Sequence, residues 1–239
     1  MIPKIIHYCW FGRKPKSALV EKCIASWKKY CPDWDIKEWN EDNFDITVNA
    51  FCLEAYNQKK WAFVSDYVRF DVLNRYGGVY VDTDVEILKP IDRFLIYSLF
   101  AGHETDQWIA PGLILGSEPG HPILQMVLTD YEKESFFNEN GKEKHKTVGE
   151  YFTEALIKYG IRPSGYYQEV NGIALFPKDY FCPMDDSTGI VTKTENTYTI
   201  HWYNKTWISP GLRFRVKITR LFHRIFGVNC FAWLKGIGK

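Results

Sequence analysis

The stretch of residues 65–84 constrains the fold more than any other part of the chain. It reads as a helix that ends at Gly77, followed by a short apolar strand at residues 79–81 and then by Asp82 and Asp84. Glycine suits the left-handed conformation that closes many helices, and an apolar run of this kind suits a buried strand. Two neighbouring carboxylates are costly unless positive charge lies beside them, so the pattern predicts a divalent metal with its own anionic ligand.

The rest of the chain alternates between strand and helix patterns. Strands are predicted at residues 5–10, 34–39, 79–81, 85–88, 95–101, 113–115, 173–176 and 198–201, and helices at residues 17–30, 48–57, 60–76, 121–137 and 147–159. Alternation in the first half is typical of an α/β fold with a mostly parallel sheet flanked by helices. The length of 239 residues suffices for one such domain plus a small appendage.

The paired aspartates follow a predicted strand, and ligands of such sheets bind at the carboxyl ends of the strands. Residues i and i+2 of a strand point to the same side. Both carboxylates can then reach one Mg²⁺ or Mn²⁺ ion, or one binds the metal and the other a sugar or ribose hydroxyl. The alternative is a solvated turn that happens to contain two acidic residues.

Three further residues are candidates for a functional role. Asp66 and Arg69 lie one turn apart on the preceding helix, either as a surface ion pair or facing the site, where arginine binds oxygen groups. His201 follows a late strand, either as a metal ligand or as a hydrogen-bonded histidine in a packed aromatic corner.

Composition narrows the class of protein. Hydrophobic residues make up 46% and charged residues 25% of the chain, which is ordinary for a globular protein. The six cysteines show no metal-finger spacing and are predicted to be free thiols in a reducing compartment. We find neither a signal peptide nor an apolar run that would span a bilayer.

The segment that carries Asp66, Arg69, Gly77, Gly78, Tyr80, Asp82 and Asp84 resembles the sugar-binding region of the DXD glycosyltransferases. That family includes bacterial capsular and O-antigen polysaccharide transferases and the yeast initiating α-1,6-mannosyltransferase, and more distantly the glucosyltransferase domain of clostridial toxins. The opening residues 2–12 resemble the first strand of that family, and residues 201–207 resemble its HxW…W ending. Residues 108–112 differ from the family pattern, which often has an asparagine there.

The resemblance implies a GT-A fold, which is a Rossmann-like mixed sheet, and a retaining hexosyltransferase that uses a nucleotide sugar with Mn²⁺ or Mg²⁺. It implies that Asp66 and Arg69 hold the donor sugar and ribose, that Asp84 binds the metal, and that Asp82 contacts the ribose or the metal. His201 would be a further metal or diphosphate contact. Trp10 would stack near the uracil and Trp207 would close over the diphosphate, and Tyr80 and Lys205 are assigned to donor binding with them.

The charge is unevenly divided along the chain. Because the totals are 30 basic and 29 acidic residues and no acidic residue follows Glu195, residues 1–195 carry 22 basic and 29 acidic residues, a net charge of −7, and the remainder carries +8. Residues 211–239 are predicted to form a basic amphipathic tail after a GT-A domain at residues 1–210. Such a helix suits the surface of an anionic membrane, although a terminal helix packed on the domain would show the same pattern.

The leading hypothesis is therefore a metal-dependent transferase on the inner face of the cytoplasmic membrane. It would move galactose or glucose from UDP to a lipid-linked glycan during synthesis of a capsular or O-antigen type polysaccharide. One alternative is a nucleotide-sugar-binding protein without transfer activity. Another is a nucleic-acid-binding protein that uses the basic tail, although the negative charge of the body and the lack of any recognised motif speak against nucleic acid.

Overall fold

The computed structural model of the chain describes residues 1–143, 146–205, 208 and 210–231, with the Pro210 side chain also left aside. Its strands are β1 (Ile5–Cys9), β2 (Asp35–Trp39), β3 (Gly78–Tyr80), β4 (Val85–Ile87), β5 (Leu99–Gly102), β6 (Leu115–Ser117), β7 (Gln168–Val170), β8 (Ile173–Phe176) and β9 (Thr199–His201). Its α-helices are α1 (Ala18–Tyr30), α2 (Ala50–Asn57), α3 (Trp61–Tyr76), α4 (Pro122–Glu132), α5 (Val148–Lys158), α6 (Lys178–Phe181) and α7 (Pro210–Phe226). Short 3-10 helices occupy Ile46–Val48 and Asp92–Ile96.

The described strands form a central sheet in the order β2-β1-β3-β6-β5-β8-β7 and a small antiparallel sheet of β4 and β9. Within the central sheet only β6 and β7 run against the other strands. This is a mixed α/β fold with a mostly parallel sheet, as the alternation of patterns predicted.

Two apolar clusters cover the two faces of the central sheet. One contains the buried faces of α2, α3, α4 and α5, and the other contains those of α1, α6, the Asp92–Ile96 turn and the small sheet. The helix that precedes the aspartates, α3, is buried on most of its circumference. Its residues are therefore held in a nearly rigid frame next to β3.

Local sequence signals set several element boundaries. Ser17 caps α1 by accepting a hydrogen bond from the Val20 amide. Thr147 and Glu150 form a capping box at the start of α5. At the end of α3 the backbone of Gly77 has a φ of 63°, and a side chain there would also collide with Pro119 and Pro3.

Two predicted elements were wrong in extent. The strand predicted at residues 95–101 is split, because Asp92–Ile96 forms a 3-10 helix with Phe94 in the core, and β5 begins at Leu99. The helix predicted to reach residue 137 ends at Glu132, since the carboxylate of Glu54 accepts hydrogen bonds from the Ser135 hydroxyl and the Phe136 amide and holds them outside the helix.

Two short elements, β7 and α6, were not among the predicted strands and helices. The residues of β7 are mostly exposed at the edge of the sheet, and α6 is a single turn, so neither has an apolar periodicity long enough to read.

Candidate functional site

The site begins where the small sheet brings two distant segments together. Strand β4 pairs antiparallel with β9, and the register sets Val85 opposite His201. The Trp202 amide then donates to the backbone oxygen of Asp84 at 2.9 Å, which extends the pairing by one residue. Asp84 therefore lies beside His201, although more than a hundred residues separate them in the sequence.

Asp84 is almost enclosed by its partners. One carboxylate oxygen lies 3.1 Å from His201 Nε2, and the other accepts a 2.7 Å hydrogen bond from the Asn204 amide. Burial opposes ionisation of Asp84, but the imidazole and the amide donors outweigh it and hold the pKa of this carboxyl below its usual range. Asp84 is a carboxylate at neutral pH.

His201 has the reverse electrostatic balance. Burial alone would lower the pKa of His201, but the charge and hydrogen bond of Asp84 raise that pKa to about 9. Its Nδ1 atom is buried and has no hydrogen-bond partner among the residues that the structure describes. A buried imidazole nitrogen without a partner suits a ligand position.

Asp82 lies on the other side of the turn. Its carboxylate accepts a 3.0 Å hydrogen bond from the Tyr80 hydroxyl and lies 3.4 Å from Arg69 Nη2. Ligand atoms of Asp82, Asp84 and His201 all lie within 4.8 Å of one another. Two carboxylates and one imidazole at this spacing match the oxygen and nitrogen donors that Mn²⁺ and Mg²⁺ accept.

The prediction of a common site for the aspartates rested on a strand, and here the structure differs. Strand β3 ends at Tyr80, and Asp82 and Asp84 lie in a tight turn in which the Val85 amide donates to the Asp82 backbone oxygen at 3.0 Å. The two carboxylates converge because of this turn and not because of the alternation of a strand.

The α3 pair is buried against the turn. Arg69 is 3% exposed, and its guanidinium donates to Asp66 at 2.8 Å and to the Ser65 backbone oxygen at 3.1 Å. Arg69 also lies over the Tyr80 ring, 4.7 Å from the ring centroid. Burial raises the pKa of Asp66 to about 7 against the opposing charge of Arg69. The structure therefore excludes a solvated surface ion pair at these two positions.

Comparison with known families decides what this arrangement belongs to. Residues 17–101 match the family model described as the glycosyltransferase sugar-binding region containing a DXD motif. The matched segment contains α3 and the turn with its two aspartates. Over residues 17–101 the chain is therefore similar to the DXD glycosyltransferases.

Curated proteins that are similar to this chain come from yeasts and a virus. Inositol phosphoceramide mannosyltransferase 3 of Schizosaccharomyces pombe is 28% identical over 143 residues, which cover 56% of this chain and 38% of that protein. The chain thus matches less than half the length of the yeast protein. An uncharacterised glycosyltransferase of Acanthamoeba polyphaga mimivirus is 25% identical over 227 residues, covering 89% of this chain and 86% of the viral protein.

One solved structure supports the fold of the chain. The PaToxG glycosyltransferase aligns with a TM-score of 0.50 and 18% sequence identity, covering 66% of this chain and 69% of that chain. This likeness concerns the fold alone. It agrees with the GT-A architecture that the sequence resemblance implied.

Three residues predicted for the donor site remain, namely Trp10, Lys205 and Trp207. Trp10 follows β1 and donates from its indole nitrogen to the Lys14 backbone oxygen at 2.7 Å. The amine of Lys205 bonds to Asp186 at 2.7 Å and makes no contact with the aspartates of the turn among the described hydrogen bonds. Trp207 lies outside the described residues.

Sequence reasoning missed two groups that shape the candidate site. The backbone oxygen of Gly112 accepts from the Asp82 amide at 2.9 Å, and a Cβ at Gly112 would lie 2.1 Å from Asp82 Oδ2. The Tyr203 ring packs 4.3 Å from the His201 ring, and its hydroxyl donates to Glu104 at 3.0 Å. Glycine after proline signalled a turn at Gly112, but no sequence pattern linked Glu104 to the site.

His7 is a histidine with a structural role. Its Nδ1 accepts from the Trp39 indole at 3.0 Å and its Nε2 lies 2.8 Å from the Gly77 backbone oxygen. Burial lowers the pKa of His7 to about 4, so the ring is neutral. His7 joins β1, β2 and the end of α3 below the site.

Proposed function

We propose that the chain is a metal-dependent, retaining glycosyltransferase that moves a hexose from a nucleotide sugar to a glycan acceptor. The observation that carries the proposal is the convergence of Asp82, Asp84 and His201 within 4.8 Å, at the carboxyl end of β3. The buried Asp66–Arg69 pair beside this group supports it. In this proposal residues 1–210 carry the transfer.

The donor set fits a divalent cation of the Mn²⁺ or Mg²⁺ type. Asp82, Asp84 and His201 would hold it, and the unpartnered Nδ1 of His201 supports a ligand at this position. When bound, such an ion neutralises the negative charge that develops on a departing nucleoside diphosphate. The two neighbouring carboxylates repel each other, and a cation bound between them compensates their negative charge.

Arg69 and Asp66 are assigned to the donor sugar. The guanidinium is fixed by hydrogen bonds to Ser65 and Asp66, so it offers its remaining N–H groups at a defined position. Asp66 has a pKa raised to about 7 by burial, and it accepts hydrogen bonds from hydroxyl groups when it is ionised. Tyr80 holds Asp82 in place through its hydroxyl. Trp10, Lys205 and Trp207 complete the proposed donor contacts.

The identity of the donor sugar is the most specific part of the proposal. The sequence favoured UDP-galactose or UDP-glucose, whereas the names of the yeast relatives specify mannosyl transfer to inositol phosphoceramide. Those names also support an acceptor carried on a lipid. A lipid-linked glycan in capsular or O-antigen polysaccharide synthesis would be one acceptor of this kind.

A panel of nucleotide sugars tests the proposal. The protein is incubated with Mn²⁺ and with UDP-galactose, UDP-glucose or GDP-mannose, and the melting temperature and the release of nucleoside diphosphate are measured. We expect one donor to raise the melting temperature and to be hydrolysed slowly, with both effects lost in Asp84→Asn and kept in Asp33→Asn, a control at an exposed carboxylate.

Two results of this panel distinguish the alternatives. Stabilisation by a donor without hydrolysis or transfer would favour a nucleotide-sugar-binding protein. Absence of stabilisation by every donor, with Asp84→Asn indistinguishable from wild type, would contradict the proposal.

The last helix supports a second part of the proposal, which is peripheral contact between residues 211–239 and an anionic membrane on its cytoplasmic face. Helix α7 is held to the domain by polar groups, with Arg220 bonded to the Asp186 carboxylate at 2.7 Å and Arg224 to the Thr188 backbone oxygen at 2.6 Å. The apolar side of α7 is left outward, and Phe214 and Ile225 are 65% and 63% exposed. An exposed apolar face flanked by basic residues fits the headgroup region of anionic lipids. Among the described helices none is long and apolar enough to cross a membrane.

Vesicle sedimentation tests this contact. We expect the protein to sediment with phosphatidylcholine vesicles that contain phosphatidylserine and to do so weakly with phosphatidylcholine alone. The double variant Phe214→Ser, Ile225→Ser should lose the binding, whereas Val48→Ser, Ile96→Ser, which removes two exposed apolar side chains elsewhere, should keep it. Equal sedimentation of both double variants would contradict the membrane contact, and tight binding to duplex DNA without vesicle binding would favour a nucleic-acid partner.

A further inference from the structure

A cleft without an assigned ligand lies next to Glu104, whose carboxylate accepts a hydrogen bond from the Tyr203 hydroxyl. It has a volume of about 320 Å³ and is lined by Glu104, Trp108, Thr147, Gly149 and Glu150. One wall is the loop between β5 and β6, and the other is the first turn of α5. We call it the Trp108 cleft.

The loop wall is built as a short hairpin. His103 and Ile109 pair as an antiparallel bridge, and the amides of Glu104 and Thr105 point to the Trp108 backbone oxygen at 2.9 and 3.3 Å. Backbone hydrogen bonds therefore fix Glu104 and Trp108 as neighbours at the tip of this hairpin.

The same wall is connected to His201, one of the proposed metal ligands, through Tyr203. The Tyr203 hydroxyl donates to Glu104 Oε1 at 3.0 Å, and the Tyr203 ring lies 4.3 Å from the ring of His201. Only one aromatic side chain thus separates the carboxylate at the edge of the cleft from the proposed metal ligands.

The chemistry of the lining favours a neutral, hydroxyl-rich ligand. The Trp108 side chain is large, apolar and flat, and Trp108 is 41% exposed although it lies at a concave surface. Glu104 and Glu150 supply carboxylate acceptors, and no cationic side chain is among the described residues that line the cleft. Two carboxylates repel a phosphate or an acidic group, whereas they accept hydrogen bonds from hydroxyls.

We propose that the Trp108 cleft binds a sugar ring of the acceptor glycan, with one face of the ring on the Trp108 indole and hydroxyl groups on Glu104 and Glu150. This inference rests on the proposed function and assigns its second substrate a place on the protein. It also places Trp108, the first residue of the stretch where the sequence differs from the family pattern, in contact with the acceptor.

Binding of simple glycosides tests the cleft directly. Methyl α-mannoside, methyl β-galactoside and methyl β-glucoside are examined by saturation-transfer NMR with the Mn²⁺-loaded protein and a nucleoside diphosphate. We expect at least one of them to bind, and its affinity to fall at least about tenfold in Trp108→Ala. Glu104→Gln should also weaken binding, although its amide oxygen still accepts from Tyr203.

Tyr159→Ala is the matched control. Tyr159 is 38% exposed, which is close to the exposure of Trp108. It follows the last residue of α5, about 15 Å along the helix axis from the first turn of α5 that lines the cleft. Glycoside affinity in Tyr159→Ala should equal that of wild type. The melting-temperature rise with the nucleotide sugar is recorded for every variant, so that damage to the donor site is seen separately.

The outcomes separate this inference from the proposed function. If a nucleotide sugar stabilises the protein but no glycoside binds, or if Trp108→Ala and Tyr159→Ala bind glycosides equally well, the cleft is not the acceptor site and the inference is wrong. If no nucleotide sugar stabilises the protein, the proposed function fails. Glycoside binding that is lost only in the Trp108 and Glu104 variants supports the inference.

Discussion

Replacing Gly112 by alanine should disable the site while leaving the fold largely intact. A Cβ at this position would lie 2.1 Å from Asp82 Oδ2 and 3.0 Å from Arg69 Nη1. Real Cβ contacts essentially never fall below 3.0 Å, so the Asp82 carboxylate must retreat by about 1 Å. That movement disturbs the hydrogen bond that the Tyr80 hydroxyl donates to Asp82 Oδ1 at 3.0 Å.

The size of the effect follows from this displacement. A misplacement of about 1 Å in a catalytic site costs on the order of 100-fold in rate, and overpacking costs about 1–3 kcal/mol of unfolding free energy. We expect donor hydrolysis in Gly112→Ala to fall about 100-fold and the Mn²⁺-dependent rise in melting temperature to shrink. Both are measured alongside chemical denaturation.

Gly211→Ala is the control for this substitution. A Cβ at Gly211 would meet no atom within 4 Å, and the residue lies in α7. Its donor hydrolysis should match that of wild type. Donor hydrolysis in Gly112→Ala within about twofold of wild type would refute the reasoning, because it would mean that the position of Asp82 does not matter.

Three other predictions follow from the charges of the site and core. His201 has a pKa raised to about 9, so a metal must displace a proton below that pH, and the Mn²⁺ affinity measured by titration should rise about tenfold per unit from pH 6.5 towards 9; a flat profile would contradict the ion pair with Asp84. His7 has a pKa lowered from 6.5 to about 4, so its contribution to the unfolding free energy is present above pH 6.5 and is lost as the pH falls towards 4. The total loss is about 3 kcal/mol. Chemical denaturation of His7→Gln should show a smaller loss of unfolding free energy between pH 6.5 and 4. Arg69→Met leaves a buried carboxylate without its partner and should cost about 3–5 kcal/mol, whereas Arg75→Met, at an exposed pair on the same helix, should cost under about 1 kcal/mol; equal costs in denaturation would contradict the burial of the α3 pair.

The local part of the site could be predicted from the sequence. Asp66 and Arg69 are one helical turn apart, and the helix, glycine and strand that precede Asp82 are local signals read from spacing and residue type. They fixed which carboxylates lie near the end of β3. The sequence argument placed Asp82 and Asp84 on one side of a strand, and this reason was wrong. The two residues lie in a tight turn after β3, and the turn also brings their carboxylates together.

The nonlocal part could not be predicted from patterns. The contact between Asp84 and His201 depends on the register of β4 and β9, and such pairing is set by tertiary packing. The spacing of Gly112 from Asp82 and the Tyr203–Glu104 hydrogen bond arise in the same way. Only the resemblance to a family, and not the residue pattern, linked His201 to the aspartates.

The central claim is that Asp82, Asp84 and His201 hold one divalent cation that in turn binds the nucleotide donor. Mn²⁺ binding followed by electron paramagnetic resonance tests it most directly, first with Mn²⁺ alone and then with added nucleoside diphosphate. We predict one Mn²⁺ per chain, bound more tightly when the diphosphate is present, with binding lost in Asp84→Asn and His201→Asn and retained in Asp33→Asn. Unchanged Mn²⁺ binding in Asp84→Asn, or no binding in wild type, would contradict the account.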